Sequence, residues 1–187
     1  MSLKSLSNNP QTLSEHLLAV NVSALEEGLA LLSLLTPNQY TQGYEPAFRS
    51  TIGAHFRHLL EHHRCFISQW PTGHICYDNR ERDQPLESDF VYAQETVRAL
   101  ILDLQSLFTQ NLNQSCTLID QQSSGPVATS VCRELLFLQS HTTHHYAIIG
   151  AMTRALGAKP AADFGVAIAT RTHLQASASA TSSVRGE

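Results

Sequence analysis

The segment from Leu135 to Ile149 constrains the fold of this chain more than any other part of it. It has the composition of a helix with an apolar face, and His141 and His145 stand four positions apart within it. Residues at that spacing lie one turn above the other on the same face of a helix. Two imidazoles facing an apolar interior are costly to bury unless their nitrogens are satisfied. A bound metal would satisfy them, because neutral imidazole is the commonest metal ligand in proteins.

The spacing of this pair is that of the two histidines in H-E-x-x-H metalloproteases. Thr142, however, follows His141 where those enzymes have their glutamate. The metalloprotease interpretation is therefore excluded, and the pair needs another explanation.

Composition narrows the possible partners and the location of the protein. The chain has 187 residues, about the size of one domain, and a net charge of −4, which gives no reason to expect nucleic acid as a partner. It contains no apolar run long enough to span a membrane and no apolar core of a signal peptide near its start. Its four cysteines (Cys65, Cys76, Cys116 and Cys132) form no C-x-x-C pair. We expect a cytoplasmic protein with reduced thiols and no membrane partner.

Apolar periodicity predicts an all-α fold, a four-helix bundle. The predicted long helices cover residues 11–36, 51–69, 87–110 and 130–156. A long loop, residues 71–86, separates helices 2 and 3 and is too polar to be core. The segments Cys116–Ile119 and Val127–Ser130 flank a turn-rich stretch and predict a short hairpin before helix 4.

Three parts are expected along the chain. Residues 1–10 form an N-terminal extension, and residues 11–172 form the helical domain. Residues 173–187 form an Ala/Ser-rich tail that we expect to be disordered.

A third metal ligand must come from outside the last long helix. Helix 2 offers His55, His58 and His62 on one face, and the residues alone do not decide among them. His62 and His63 also fit a solvated helix surface, so they are left out of the predicted site. Three neutral histidines plus water are typical of a catalytic metal site, and zinc, nickel and iron(II) all suit imidazole ligands.

Two motifs together resemble the DinB/YfiT-like superfamily of proposed metalloenzymes. They are Thr51-Ile-Gly-Ala-His-Phe-Arg-His58-Leu and Leu135-Leu-Phe-Leu-Gln-Ser-His-Thr-Thr-His-His145, and the resemblance covers residues 11–170. It implies a four-helix bundle, often dimeric, that holds a divalent metal with one histidine of helix 2 and two of the last long helix. Carried over by position, these ligands are His58, His141 and His145, with His55, one turn from His58, as the alternative first ligand.

The chain departs from this superfamily just after the histidine pair. Many relatives continue with Arg-Gly-Gln, whereas this chain has Tyr146-Ala147-Ile148. The loop from Tyr77 to Arg82 is open to two interpretations. An Asp–Arg pair could fix the loop, or Arg80 or Arg82 could bind an anionic group at the rim of the metal pocket.

The resemblance implies a metal-dependent enzyme, either a hydrolase or a transferase that uses a low-molecular-weight thiol. A hydrolase would need a general base, for which Glu61 and Glu134 are the candidates. The alternative is a stress-related protein that binds a metal or ligand without catalysis. The expected partners are a small-molecule substrate or thiol and a second copy of the chain in a homodimer.

Overall fold

The fold is mainly helical, with a small three-stranded sheet. The computed structural model describes residues 10–45 and 47–184, so nearly all of the predicted extension, residues 1–10, lies outside the described residues. The α-helices are α1 (Pro10–Leu32), α2 (Pro37–Thr41), α3 (Ile52–Gln69), α4 (Pro85–Ser88), α5 (Phe90–Ser106), α6 (Val131–Ala155) and α7 (Ile168–Val184). The strands are β1 (His74–Ile75), β2 (Ser115–Leu118) and β3 (Val127–Ser130). The predicted helical class is therefore confirmed.

The core lies between α1, α3, α5 and α6. Helix α1 packs against α5 and α6, and α3 packs against the same two helices. Each contributes fully buried apolar side chains to a continuous core, among them Leu18, Leu25, Phe56, Leu60, Leu104, Leu135 and Ile149. The functional side chains described below lie where α3 and α6 face each other.

Polar side chains fix where these helices begin. Thr51 and Ser130 accept hydrogen bonds from backbone amides in the first turns of α3 and α6, and Asp89 does the same for α5. Such caps satisfy amides that have no partner within the helix. Helix α6 ends before Gly157, whose φ of 82° is a left-handed conformation that favours glycine. The predicted bounds of α3 and α6 agree with the structure to within about two residues.

Two helices are shorter than the sequence predicts. Helix α1 ends at Leu32 rather than at residue 36, because Thr36 caps a separate short helix, α2. The Thr36 hydroxyl accepts from the Gln39 amide while the Gln39 side chain accepts from the Thr36 amide, so this cap is reciprocal. The predicted helix 87–110 is also divided. Asp89 caps α5, which ends at Ser106, and the residues just before Asp89 belong to the short helix α4.

The predicted polar loop, residues 71–86, is anchored by the sheet. Strand β1 pairs in parallel with β2, and β2 pairs antiparallel with β3 in the register Cys116 to Thr129. The predicted hairpin is thus present, with β1 as an additional strand. Ile75 of β1 is fully buried, so the expectation that this loop contributes nothing to the core is wrong. Two residues are too few to show a strand pattern in a sequence.

The C-terminal segment packs back onto α1 and α6. Phe164 is buried and stacks on Tyr146, and Arg171 donates to both carboxylate oxygens of Glu27 at 2.7 and 3.1 Å. Helix α7 continues to Val184, through the Ala/Ser-rich stretch for which the sequence predicts disorder. Alanine has the highest helix propensity of all residues, so a helix that is anchored at its start extends readily through such a stretch.

No helix among the described residues combines the length and apolar character needed to cross a membrane.

Candidate metal centre

Three imidazoles converge between α3 and α6. The Nε2 atom of His141 lies 3.1 Å from Nε2 of His58 and 3.2 Å from Nε2 of His145. The ligand atoms of the three residues all lie within 4.8 Å of one another. Two nitrogen ligands of a tetrahedral zinc ion, each about 2.0–2.1 Å from the metal, are about 3.3 Å apart. The spacing of these nitrogens therefore fits one shared ion.

The helices themselves position this triad. The Thr51 cap sets the start of α3, so His58 faces α6 two turns into the helix. His141 and His145 lie on successive turns of α6 and face α3. All three side chains are partly buried. The structure therefore brings together the three residues that the resemblance implies as ligands.

His55, the alternative first ligand, lies behind the triad. Its Nδ1 atom is 3.0 Å from Nδ1 of His145, the ring nitrogen that faces away from the triad. A metal-bound histidine commonly donates its second ring N–H to a neighbour, which fixes the orientation of the ring. His55 is placed to be that neighbour for His145.

Burial keeps the triad in the uncharged form that metal binding requires. Burial is the main reason why the pKa falls from 6.5 to about 4 for His58 and His141, and to about 3 for His145. Neighbouring imidazoles are the second cause of these lowered pKa values, because a positive charge on one disfavours a positive charge on the next. At neutral pH the three imidazoles are therefore uncharged and can act as ligands, so this donor set fits a divalent metal such as zinc.

His62 and His63 are buried, so the surface explanation for them is wrong. His62 Nδ1 donates to the His58 carbonyl oxygen at 2.7 Å, and its ring lies 4.3 Å from the ring of His141. His63 is fully buried and donates from Nδ1 to the Leu59 carbonyl oxygen at 2.9 Å. A ring N–H that donates to a carbonyl oxygen of the same helix has its partner, which allows the histidine to be buried. In the sequence, the only sign of these two bonds is that each histidine stands four residues after its acceptor.

Glu61, one candidate base, is held in a network of cations. Its carboxylate lies 3.3 Å from Arg80 Nε, 3.6 Å from Arg57 Nη1 and 3.7 Å from Arg82 Nη1, and only 2% of the side chain is exposed. It also accepts from the Asp83 backbone amide at 2.9 Å. These contacts tie the loop after β1 to α3.

Glu134, the second candidate base, is also fully engaged. One carboxylate oxygen accepts from the Tyr77 hydroxyl at 3.0 Å and the other accepts from the Thr129 hydroxyl at 2.6 Å. Burial and the nearby Glu134 carboxylate raise the pKa of Tyr77, so this phenol stays a donor. Glu134 therefore joins α6 to the loop and to β3.

Arg80 brings a positive charge to the edge of the triad. It donates from Nη1 to the Tyr77 carbonyl oxygen at 2.9 Å, and its Nη2 lies 3.3 Å from Nδ1 of His58. Arg82, by contrast, is about half exposed, with 49% of its side chain accessible. The sequence offered both arginines as anion-binding candidates, and the structure brings only Arg80 to the histidines.

A cavity of about 360 Å³ lies beside the triad. His62 and Phe137 separate the two, since the rings of both pack against His141. The remaining lining comes from the loop, from the sheet and the turn within it, and from the first turn of α6: Tyr77, Asp78, Arg80, Leu118, Ile119, Asp120, Val127, Ala128, Thr129, Arg133 and Glu134. The cavity is in the size range of small-molecule sites. Its residues on β2 and β3 could not be linked to the histidines from the sequence alone.

Comparison with known proteins places this geometry in one family. The model of the DinB family matches residues 3–174, which is most of the chain. No curated protein and no solved structure gives a significant match. The match extends over α1, α3, α5 and α6 and includes the three converging histidines, and the chain therefore belongs to the DinB family.

Proposed function

We propose that this protein holds one divalent metal on His58, His141 and His145 and uses it in a reaction of a small molecule. The observation that carries the proposal is the convergence of three neutral Nε2 atoms at separations of 3.1 and 3.2 Å. Three histidine ligands leave a coordination position open, as in catalytic rather than structural zinc sites. Zinc, nickel and iron(II) are all compatible with this donor set.

A metal held in this way would polarise a bound group or favour the deprotonated form of water or a thiol. The residues of the chain have separate roles around it. His55 orients His145, His62 forms the wall between the triad and the cavity, and Arg80 supplies a positive charge at the edge of both.

The transfer of a low-molecular-weight thiol is the better supported reaction. Hydrolysis by a carboxylate base would need a free oxygen on Glu61 or Glu134. Both carboxylates are instead occupied by arginines or hydroxyl groups. A thiol bound to a metal needs no such base, because the metal itself favours the thiolate.

The remaining features of the proposal concern the whole protein. The pairing of α1 and α3 with α5 and α6 supports a four-helix bundle of the DinB/YfiT type. We also propose that the protein is cytoplasmic and that it forms a homodimer. The alternative function is a stress-related protein that binds a metal or ligand without turning it over, and it shares the same metal centre.

The test is an activity screen of the metal-loaded protein. Protein reconstituted with zinc, nickel or iron(II) is assayed with activated esters, and with small electrophiles in the presence and absence of added thiol. We expect thiol-dependent turnover that is lost in His141→Ala. Turnover of esters without thiol would favour the hydrolase. Bound metal with no turnover in any assay would favour the non-catalytic alternative.

A further inference from the structure

The contact between Arg80 and His58 fixes the hydrogen on the His58 ring. Arg80 Nη2 lies 3.3 Å from His58 Nδ1, and a guanidinium group has donors but no acceptor. Nδ1 of His58 must therefore accept, which places the hydrogen of the neutral ring on Nε2. That nitrogen faces Nε2 of His141 at 3.1 Å, so His58 can donate to His141 in this state.

Metal binding requires the opposite arrangement. A neutral histidine that gives its Nε2 lone pair to a metal carries its hydrogen on Nδ1. Nδ1 of His58 then becomes a donor and faces the donor of Arg80. Two donors cannot share a hydrogen bond, so Arg80 Nη2 loses its acceptor when His58 becomes a ligand.

The released guanidinium stays beside the cavity. Arg80 remains tethered to Glu61 through Nε and to the Tyr77 carbonyl oxygen through Nη1, and its side chain lines the cavity. Only Nη2 changes its partner. A cation without an acceptor at the wall of a cavity of about 360 Å³ favours an anionic ligand there.

The acidic residues of the cavity do not remove this preference. Both oxygens of Glu134 accept from hydroxyl groups, at 3.0 and 2.6 Å. Asp78 accepts from the Gln121 amide at 3.0 Å, and Asp120 accepts from the Gln122 amide at 2.7 Å. These carboxylates hold the sheet turn and the loop in place. Arg133 is a second cation of the lining, and Arg80 is the one that also contacts His58.

The other wall of the cavity is apolar and partly aromatic. Tyr77 and Phe137 lie with their ring centroids 5.0 Å apart, and Leu118, Ile119 and Val127 come from the sheet and its turn. A flat apolar body can pack on this wall while its charged end reaches Arg80. The lining therefore fits a small carboxylate with an aromatic or apolar body.

We propose that the cavity is the binding site for such a carboxylate, and that metal binding at the triad prepares it by releasing Arg80 from His58. The two ligands then bind cooperatively, since each favours the state in which Arg80 Nη2 is not bonded to His58, and the coupling is reciprocal. The proposal rests on the proposed metal function and adds a class of substrate and an order of binding.

The experiment is a calorimetric titration of the full chain with benzoate, with and without bound zinc. Benzamide serves as the uncharged probe of nearly the same shape. We expect zinc to tighten benzoate binding by about fivefold or more, within the usual range of coupling between sites. Benzamide should show no such effect of zinc.

Arg80→Met separates this mechanism from direct binding of the carboxylate to the metal. We expect the variant to bind zinc as tightly as the parent or more tightly, because a competing donor has been removed. We also expect benzoate binding to become independent of zinc. Arg82→Met is the matched control, since Arg82 also pairs with Glu61, at 3.7 Å, but is not part of the cavity lining. It should keep the cooperativity.

Three results would overturn the proposal. Cooperativity that persists in Arg80→Met would mean that the metal itself binds the carboxylate. Zinc affinity about tenfold weaker in that variant would make Arg80 a supporting partner of the ligand rather than a competitor. Parent protein that binds zinc but shows no effect of zinc on benzoate binding would refute this inference alone, whereas parent protein that binds no metal would refute the proposed function as well.

Discussion

His63 is fully buried, and its two ring nitrogens have different surroundings. Nδ1 donates to the Leu59 carbonyl oxygen, while Nε2 is buried and has no hydrogen-bond partner among the described residues. Protonation would place a charge and an unsatisfied donor in the core. Burial therefore lowers the pKa of His63 from 6.5 to about 4.

This residue should make the stability of the metal-free protein dependent on pH. The folded-state pKa lies below the unfolded-state value, so the unfolded chain binds more protons between them. The stability that this pKa shift contributes is fully present above about pH 6.5 and is lost as the pH falls towards about 4. Between pH 7 and pH 5, the free energy of unfolding should fall by about 2 kcal/mol less in His63→Leu than in the parent. Urea unfolding with chelator present provides the measurement. The exposed His173 provides the control, since His173→Leu should follow the parent.

His55 should tune the metal affinity without being a ligand. In the metal-bound state His145 would donate from Nδ1 to His55 Nδ1, which lies 3.0 Å away. Losing such a partner typically weakens metal binding about 10–100-fold. We expect this loss in His55→Ala, with one metal per chain still bound when metal is in excess, as measured by competition with a chelator of known affinity.

A contrary result would exchange the roles of two residues. If His55→Ala abolished the site while His58→Ala left it intact, His55 would be the ligand from α3. His144→Ala is the control, because His144 is exposed and adjacent to His145 on α6. It should bind metal as the parent does.

The sequence indicated the pair His141 and His145, and the family resemblance added His58, but neither indicated the surroundings of the three histidines. The four-residue spacing of His141 and His145 places both on one face of a helix wherever that helix packs. The contact of Arg80 with His58 depends on a loop without periodicity, and its position follows from the pairing of β1 with β2. No rule of spacing predicts such a contact.

At the scale of the elements, α1 and α6 approach closely where Gly28 faces Tyr146. The Tyr146 hydroxyl donates to the Ala24 carbonyl oxygen at 2.9 Å, and a Cβ atom on Gly28 would collide with the tyrosine ring and its hydroxyl. Tyr146 also stacks on Phe164. Tyr146 is thus part of the packing between α1, α6 and the C-terminal segment. It is also the first residue at which this chain departs from the Arg-Gly-Gln of many relatives.

Gly28→Ala should therefore destabilise the protein. Within a helix, replacement of glycine by alanine normally stabilises by about 1 kcal/mol. Here we expect a loss of about 1–3 kcal/mol in the free energy of unfolding, because the added methyl group overpacks a buried contact. Denaturant unfolding provides the measurement, and an increase in stability would contradict the close approach. In a Tyr146→Phe background the same change should cost less, since the hydroxyl is absent.

The helices differ in how well the sequence defines their ends. Thr51 and Ser130 are capping residues next to apolar helical patterns, so α3 and α6 could be predicted closely. The end of α1 could not, since leucines continue to Leu35 and only the reciprocal cap at Thr36 shows the break. Helix α7 was missed because an Ala/Ser-rich composition permits both disorder and helix, and the anchor at Arg171 is a tertiary contact.

At the scale of the whole molecule, a metal held by the proposed triad would join α3 to α6 and should stabilise the fold. A ligand that binds only the folded state, present at a hundred times its dissociation constant, adds about 2.7 kcal/mol. For a domain of this length, that corresponds to a rise in melting temperature of roughly 5–11 °C. Calorimetry of the zinc-loaded protein before and after a chelator provides the measurement. His141→Ala should show no such shift, and an unchanged melting curve of the parent would contradict a metal shared by the two helices.

The central claim is that His58, His141 and His145 hold one metal ion. Elemental analysis of the purified, tag-free protein, beside His141→Ala and His144→Ala, tests it most directly. We predict one divalent ion per chain in the parent and in His144→Ala, and none in His141→Ala, since His141 Nε2 faces both other ligands. A folded parent protein that contains no metal, and takes up none when zinc, nickel or iron(II) is added, would contradict the account.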